Sequence, residues 1–130
     1  MTPNQDQHEM IIHCGSDLLF ATRIRHAADA AGLASRSAAD ADELARVAAD
    51  LTEAGQGDDV TLVLVDLAGS EAALRTIARA RELLPAARVL AFGPHVDKAL
   101  LDAARQHGAH AVLPRSAFTA KLNDILHGRA

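Results

Sequence analysis

The chain has 130 residues, 49% hydrophobic and 23% charged, with a formal net charge of -4, which sets the expectation of one globular domain. A mildly acidic chain whose only aromatic residues are Phe20, Phe92 and Phe118 lacks both the basic footprint and the stacking platform of a nucleic-acid binder. The longest apolar run is too short for a membrane span, the start has no charged-then-apolar leader, and the single cysteine, Cys14, forms no internal disulfide, so a cytoplasmic protein with no membrane partner is expected.

Residues 1–9 are polar, contain Pro3 and have no periodicity, and are expected to form a disordered tail ahead of a single domain over 10–130. From Met10 onward, short apolar runs alternate with longer stretches of helical spacing. The first run, Met10 to Cys14, precedes a helix opened by Ser16 and Asp17, with Phe20, Ile24 and Ala27 or Ala28 on one face and Gly32 at its end. The second run is Leu33 to Ser37. Ser37 is expected to cap the following helix, with Asp40 three residues on, Leu44, Val47 and Leu51 as its buried stripe and Gly55 closing it.

Val60 to Val65 is the third run, and it leads to a helix capped by Ser70, with Leu74, Ile77 and Leu84 inward and Pro85 as the stop. The fourth run, Arg88 to Phe92, is followed by a helix from Val96 or Asp97 through Leu100, Leu101 and Ala104 to Gly108. The fifth, Ala111 to Leu113, leads to a helix capped by Ser116 with Leu122, Ile125 and Leu126 on its face. The third run is apolar on both alternating faces, as a strand must be when helices cover both sides of a parallel sheet. Five strand-then-helix units with short loops therefore predict an α/β, doubly wound, five-stranded parallel sheet. Nearly half of the apolar residues are alanine, and such small side chains let helices lie close to their neighbours.

Function in such a sheet gathers at the carboxyl ends of the strands. Those ends carry Gly15, Ser16 and Asp17 after the first strand, Asp66 after the third, Gly93, Pro94 and His95 after the fourth, and Pro114, Arg115 and Ser116 after the fifth. A carboxylate and a guanidinium thus share one edge, and a structural Asp66–Arg115 pair is expected there. Gly15-Ser16 has the look of a small anion site at a helix start, but without a repeated glycine pattern a capped helix is the simpler expectation. His13, His95, His107 and His110 have no metal-ligand spacing and no nearby cysteine partner, so no metal site is expected. Cys14 is expected to be buried and inert.

The segments Leu62-Val-Leu-Val-Asp66-Leu-Ala-Gly-Ser, Arg88-Val-Leu-Ala-Phe-Gly-Pro-His-Val-Asp and Gly108-Ala-His-Ala-Val-Leu-Pro-Arg-Ser resemble the receiver domain of two-component response regulators, over roughly Met10 to His127. The resemblance implies a flavodoxin-like (βα)5 fold with strand order 2-1-3-4-5. It places Asp66 at the position that accepts a phosphoryl group from a histidine kinase. Gathering negative oxygens around a carboxylate requires a metal and a fixed cation. The acidic pair that holds Mg²⁺ in the family reads Gly15 and Ser16 here, with Asp17 one step beyond. The hydroxyl residue at the end of the fourth strand is Gly93, the lysine at the end of the fifth is Arg115, the proline after it is Ser116, and the aromatic switch residue is Val112.

These departures lead to the expectation of a stand-alone, receiver-like signalling or protein-interaction module with a degenerate site, not switched by Mg²⁺-dependent aspartyl phosphorylation. Two alternatives stay open: a single-domain response regulator phosphorylated at Asp66 with Mg²⁺ as cofactor, and a small-anion or ligand binder using the same edge. No base, nucleophile and orienting group assemble from the strand ends, so neither catalytic residues nor a further cofactor are expected. The expected partner is another signalling protein or a second copy of the chain, met through the last two helices and last strand. Leu100, Ala103, Phe118 and Lys121 are the expected contact residues.

Overall fold

The computed structural model describes residues 9–69 and 71–128. The expected tail over 1–9 lies outside them except for Glu9, as does Ser70, the expected cap of the third helix. The elements run β1 (Met10–Cys14), α1 (Leu18–Ala30), β2 (Ala34–Ala38), α2 (Ala41–Glu53), β3 (Val60–Asp66), α3 (Glu71–Leu83), β4 (Arg88–Gly93), α4 (Lys98–His107), β5 (Ala111–Pro114) and α5 (Arg115–Leu126). All paired strands are parallel, in the order β2-β1-β3-β4-β5, so the expected fold class is the one observed.

Strand alternation divides the core into two layers. Met10, Ile12 and Cys14 of β1 pack with Leu44, Val47 and Leu51 of α2, Ile77 and Ala80 of α3, and Ala104 of α4. Ile11, together with Leu62 and Leu64 of β3 and Leu90 and Phe92 of β4, packs with Phe20, Ile24 and Ala28 of α1 and with Phe118, Leu122, Ile125 and Leu126 of α5. Phe92 and Phe118 stack in this second layer with centroids 4.1 Å apart, and Phe20 leans on both.

Two helix starts differ from expectation. Ser37 does not cap α2, because β2 continues to Ala38, which pairs with Cys14. The cap is Asp40, whose carboxylate accepts from the Glu43 N–H, while Glu43 Oε1 accepts from the Ala39 N–H to complete a reciprocal capping arrangement. Ser116 does not cap α5 either. The chain passes from β5 into α5 without a loop, Pro114 occupies the cap position with extended backbone, and Arg115 is the first helical residue. That early start brings Arg115 to the sheet edge.

Candidate functional site

Asp66 ends β3 and is 6% exposed. A carboxylate this deep needs partners for its oxygens, and it has them. Oδ1 accepts from the Ala68 N–H at 2.9 Å, closing the tight turn that follows the strand, and Oδ2 accepts from Arg115 Nη2 at 3.1 Å. Arg115 Nη1 lies 3.8 Å from Oδ2 of Asp17. Asp17 Oδ1 is already committed to the α1 cap through the Phe20 N–H. The guanidinium carbon stands 4.9 Å from the centroid of the Phe20 ring, within cation–π range. One guanidinium thus bridges two carboxylates from different elements while resting on an aromatic face.

The glycines flanking this cluster are set by space. A methyl group on Gly15 would meet the Asp66 Cβ at 2.9 Å, with His13 Nε2 at 3.5 Å and Asp66 Oδ2 at 3.7 Å. One on Gly93 would meet the Leu67 Cβ at 3.1 Å. Leu67 opens the turn that the Asp66–Ala68 hydrogen bond closes, so both positions are narrowed by the way the chain leaves β3. In front of the cluster is a cleft of about 330 Å³ lined by Asp17, Asp66 and Arg115 together with small residues of the β1–α1 and β2–α2 connections and of α3.

His13 and Cys14 occupy opposite faces of β1. Burial pushes the Cys14 thiol up to about 12, as expected of an inert thiol. His13 is 2% exposed, stacks loosely on Phe92, and neither ring nitrogen has a partner. Burial holds its pKa below the ordinary histidine value, partly opposed by the nearby Asp66 and Asp17 carboxylates. In the sequence His13 carries neither metal-ligand spacing nor a thiolate partner, since Cys14 beside it on the strand points to the opposite face. The alternation that faces position 13 toward the same side as position 15 and Asp66 was the available signal.

The resemblance implies Mg²⁺ at this edge. The donor set does not fit it: Asp66 presents no free oxygen, Asp17 is divided between a helix cap and Arg115, and position 15 has no room for a carboxylate. Among the described residues no group of three or more His, Cys, Asp or Glu side chains is arranged to hold a metal ion. His107 Nδ1 donates to the Ala103 carbonyl within α4, while His110 Nδ1 accepts from the Val89 N–H of β4.

Of the expected contact residues, Lys121 is exposed and Ala103 half-buried, while Leu100 is half-buried against the α2–α4 core layer, as is Val112 at the expected switch position. Phe118 is fully buried and cannot serve as a contact. It shares a helix face with Leu122 and Ile125, at spacings of four and three residues, and that face meets the sheet. Among the described residues the large exposed apolar side chains are Leu18 and Leu19, 80% and 86% exposed, on the first turn of α1. Leu19 borders a shallow depression that also includes Asp17, Phe20 and Arg115.

No protein-family model and no curated protein sequence matches the chain. Solved structures do match over nearly its whole length. A response regulator from Burkholderia pseudomallei, crystallised with a phosphorylated aspartic acid, calcium ion and citrate, has TM-score 0.74 and 24% identity, covering 91% of this chain and 66% of its own. A response regulator from Thermotoga maritima has TM-score 0.72 and 20% identity, with 94% and 97% covered. A CheY-like receiver domain protein from Methanospirillum hungatei JF-1 has TM-score 0.68 and 14% identity, with 94% and 96% covered. The chain therefore has the fold of response-regulator receiver domains.

Proposed function

We propose that this protein is a receiver-like signalling module that acts by binding another protein and is not switched by Mg²⁺-dependent phosphorylation of Asp66. The observation that carries this reading is the engagement of the Asp66 carboxylate: one oxygen is held by the Ala68 N–H and the other by Arg115. A phosphoryl acceptor needs a free carboxylate oxygen, a cation opposite it and donors for the incoming oxygens. Here the acceptor is tied, and the flanking positions are glycines closed in by Asp66 itself and by Leu67. Val112 supplies no ring that could change its packing in response.

The surface best suited to a protein partner is the start of α1. Leu18 and Leu19 are exposed directly after Asp17, and Leu19 borders the depression that also includes Asp17 and Arg115. Exposed aliphatic residues rimmed by charge mark contact sites. No catalytic turnover is part of this reading, because the buried carboxylate, the tied guanidinium and the inert thiol leave no activated nucleophile at the edge.

The test is incubation with a small phosphodonor and Mg²⁺ followed by intact-mass measurement. The reading expects an unchanged mass. A stoichiometric adduct that disappears in Asp66→Asn would establish the alternative, a phosphoacceptor receiver. A thermal-shift screen with anions and nucleotides addresses the ligand-binding alternative, which expects a clear stabilisation by one of them.

A further inference from the structure

β2 is an edge strand, with β1 as its one neighbour in the sheet. Along a strand the main-chain groups of successive residues turn to opposite sides, and two bonds fix which side is which. The Ala34 N–H donates to the Glu9 carbonyl at 3.2 Å, and the Ala38 carbonyl accepts from the Gly15 N–H at 3.0 Å. Ala34, Arg36 and Ala38 therefore bond toward β1, and the N–H and C=O groups of Ser35 and Ser37 point out of the sheet. The two ends of this outer edge are closed: the Leu33 N–H donates to the Ala28 carbonyl, and the Ala39 N–H to Glu43 Oε1. Between them Ser35 and Ser37 have no main-chain partner among the described residues.

We propose that the outer edge of β2 binds an extended segment of a partner protein, added as an antiparallel strand with an acidic side chain opposite Arg36. The inference rests on the reading of this chain as a protein-binding module and gives it a second surface, apart from the start of α1. Ala34, Arg36 and Ser37 are exposed and Ser35 is half-buried, so neither flanking helix covers the strand. The opposite edge of the sheet is less open: β5 has four residues and ends at Pro114, which has no N–H to offer. Pairing to an open edge supplies affinity through main-chain hydrogen bonds, and side chains at alternate positions supply the choice of partner.

Arg36 makes that choice here. It stands exposed at the centre of the strand, and among the described residues no carboxylate lies within ion-pair distance of it. Asp40 and Glu43, the acids at the start of α2 on the same side of the sheet, are engaged in the cap of that helix. The same arginine decides against a second copy of the chain. Two β2 edges joined antiparallel through Ser35 and Ser37 would set Arg36 directly opposite its counterpart, in the close pair with Cα atoms about 4.5 Å apart. Like charges in that place destabilise a sheet, whereas an acid there stabilises it.

The experiment uses a capped peptide, Thr-Val-Glu-Val-Thr, and its counterpart Thr-Val-Lys-Val-Thr as probes, read by amide hydrogen exchange in NMR. The Glu-centred peptide is expected to slow exchange at Ser35 and Ser37 and to leave Arg36, whose N–H already faces β1, unchanged. That alternation is particular to strand addition. The Lys-centred peptide is expected to bind about two- to fivefold more weakly, the size of a cross-strand ion pair, and Arg36→Glu is expected to reverse the preference. Ser37→Pro removes one outward N–H without touching the bonds to β1 and is expected to abolish the slowing at Ser35. If Ser37→Pro does not fold, Arg36→Glu, at an exposed side chain, decides the matter.

Unchanged exchange at Ser35 and Ser37 overturns the proposal. So does an equal response to the two peptides, or a preference that Arg36→Glu fails to reverse. Protection of Ser35 and Ser37 that grows with protein concentration in the absence of peptide also overturns it, by making a second copy the occupant. Peptide-induced shifts at Leu18 and Leu19 instead of β2 would refute this inference alone and leave the protein-binding reading in place. A phosphoryl adduct on Asp66 would refute that functional reading instead, whatever the edge of β2 does.

Discussion

Gly15 and Asp66 meet across the carboxyl edge of β1 and β3 so closely that a methyl group on Gly15 would lie 2.9 Å from the Asp66 Cβ. The contact is between main-chain-proximal atoms, which cannot be relieved by turning a side chain. It gives the absence of an acidic residue at position 15 a structural cause. The position faces the base of another acid rather than open solvent.

Gly15→Ala is accordingly expected to destabilise the fold by about 1–3 kcal/mol, the usual cost of forcing an extra carbon into a packed site. Urea denaturation followed by circular dichroism measures this as a lower midpoint with an unchanged slope. A Gly15→Ala chain as stable as wild type would mean that β1 and β3 can separate at this edge without cost.

Removing either partner of the Asp66–Arg115 pair has unequal consequences. Arg115→Ala leaves a buried carboxylate with one oxygen unpaired, an expected loss of about 2 kcal/mol, reduced from the fully buried case because the Arg115 side chain is one-third exposed. Asp66→Asn retains an oxygen for the Ala68 N–H and leaves Arg115 beside Asp17, with an expected loss of about 1 kcal/mol. Chemical denaturation of the two variants in parallel checks the order, Arg115→Ala below Asp66→Asn.

The parts of this structure governed by short-range pattern were legible in the sequence. The five strands, the helix stripes Phe20–Ile24–Ala28 and Leu44–Val47–Leu51, and the Asp66–Arg115 pairing follow from periodicity and from where strands end. The α2 start was ambiguous because Ser37 and Asp40 are both good caps, and only pairing of Ala38 with Cys14 decides between them. The bridging of Asp17 and the Phe20 ring by one guanidinium, and the closeness of Gly15 to Asp66, depend on how α1 and α5 lie across the sheet. No local spacing encodes that. Phe118 is different: its four- and three-residue steps to Leu122 and Ile125 already placed it on the buried stripe.

Phe118 therefore tests core packing. Phe118→Ala removes the ring stacked on Phe92 at 4.1 Å and is expected to cost about 3–5 kcal/mol, enough to unfold a marginally stable domain. Leu19→Ser, at a side chain 86% exposed, is expected to change stability by no more than about 0.5 kcal/mol. Thermal melts of both variants make the contrast. A large destabilisation by Leu19→Ser would place that leucine in the fold instead of on a contact surface.

The last prediction concerns pH. His13 is buried with both nitrogens unpartnered, and burial lowers its pKa from the ordinary value of 6.5. In the unfolded chain the imidazole takes up a proton near 6.5, whereas in the folded chain it does so only at lower pH. Between those two points the unfolded state binds more protons, so stability falls as pH falls through this window and is unaffected by His13 above it. His13→Phe, which keeps a flat apolar ring beside Phe92, is expected to lose this component of the acid dependence. Asp66→Asn acts the other way: it removes a carboxylate that raises the His13 pKa, so the folded midpoint drops further and the window widens. Denaturation curves collected from pH 8 downward, together with the His13 ring signals followed by NMR, test both signs. An identical acid dependence in wild type and His13→Phe would show that the buried imidazole is not the group responsible.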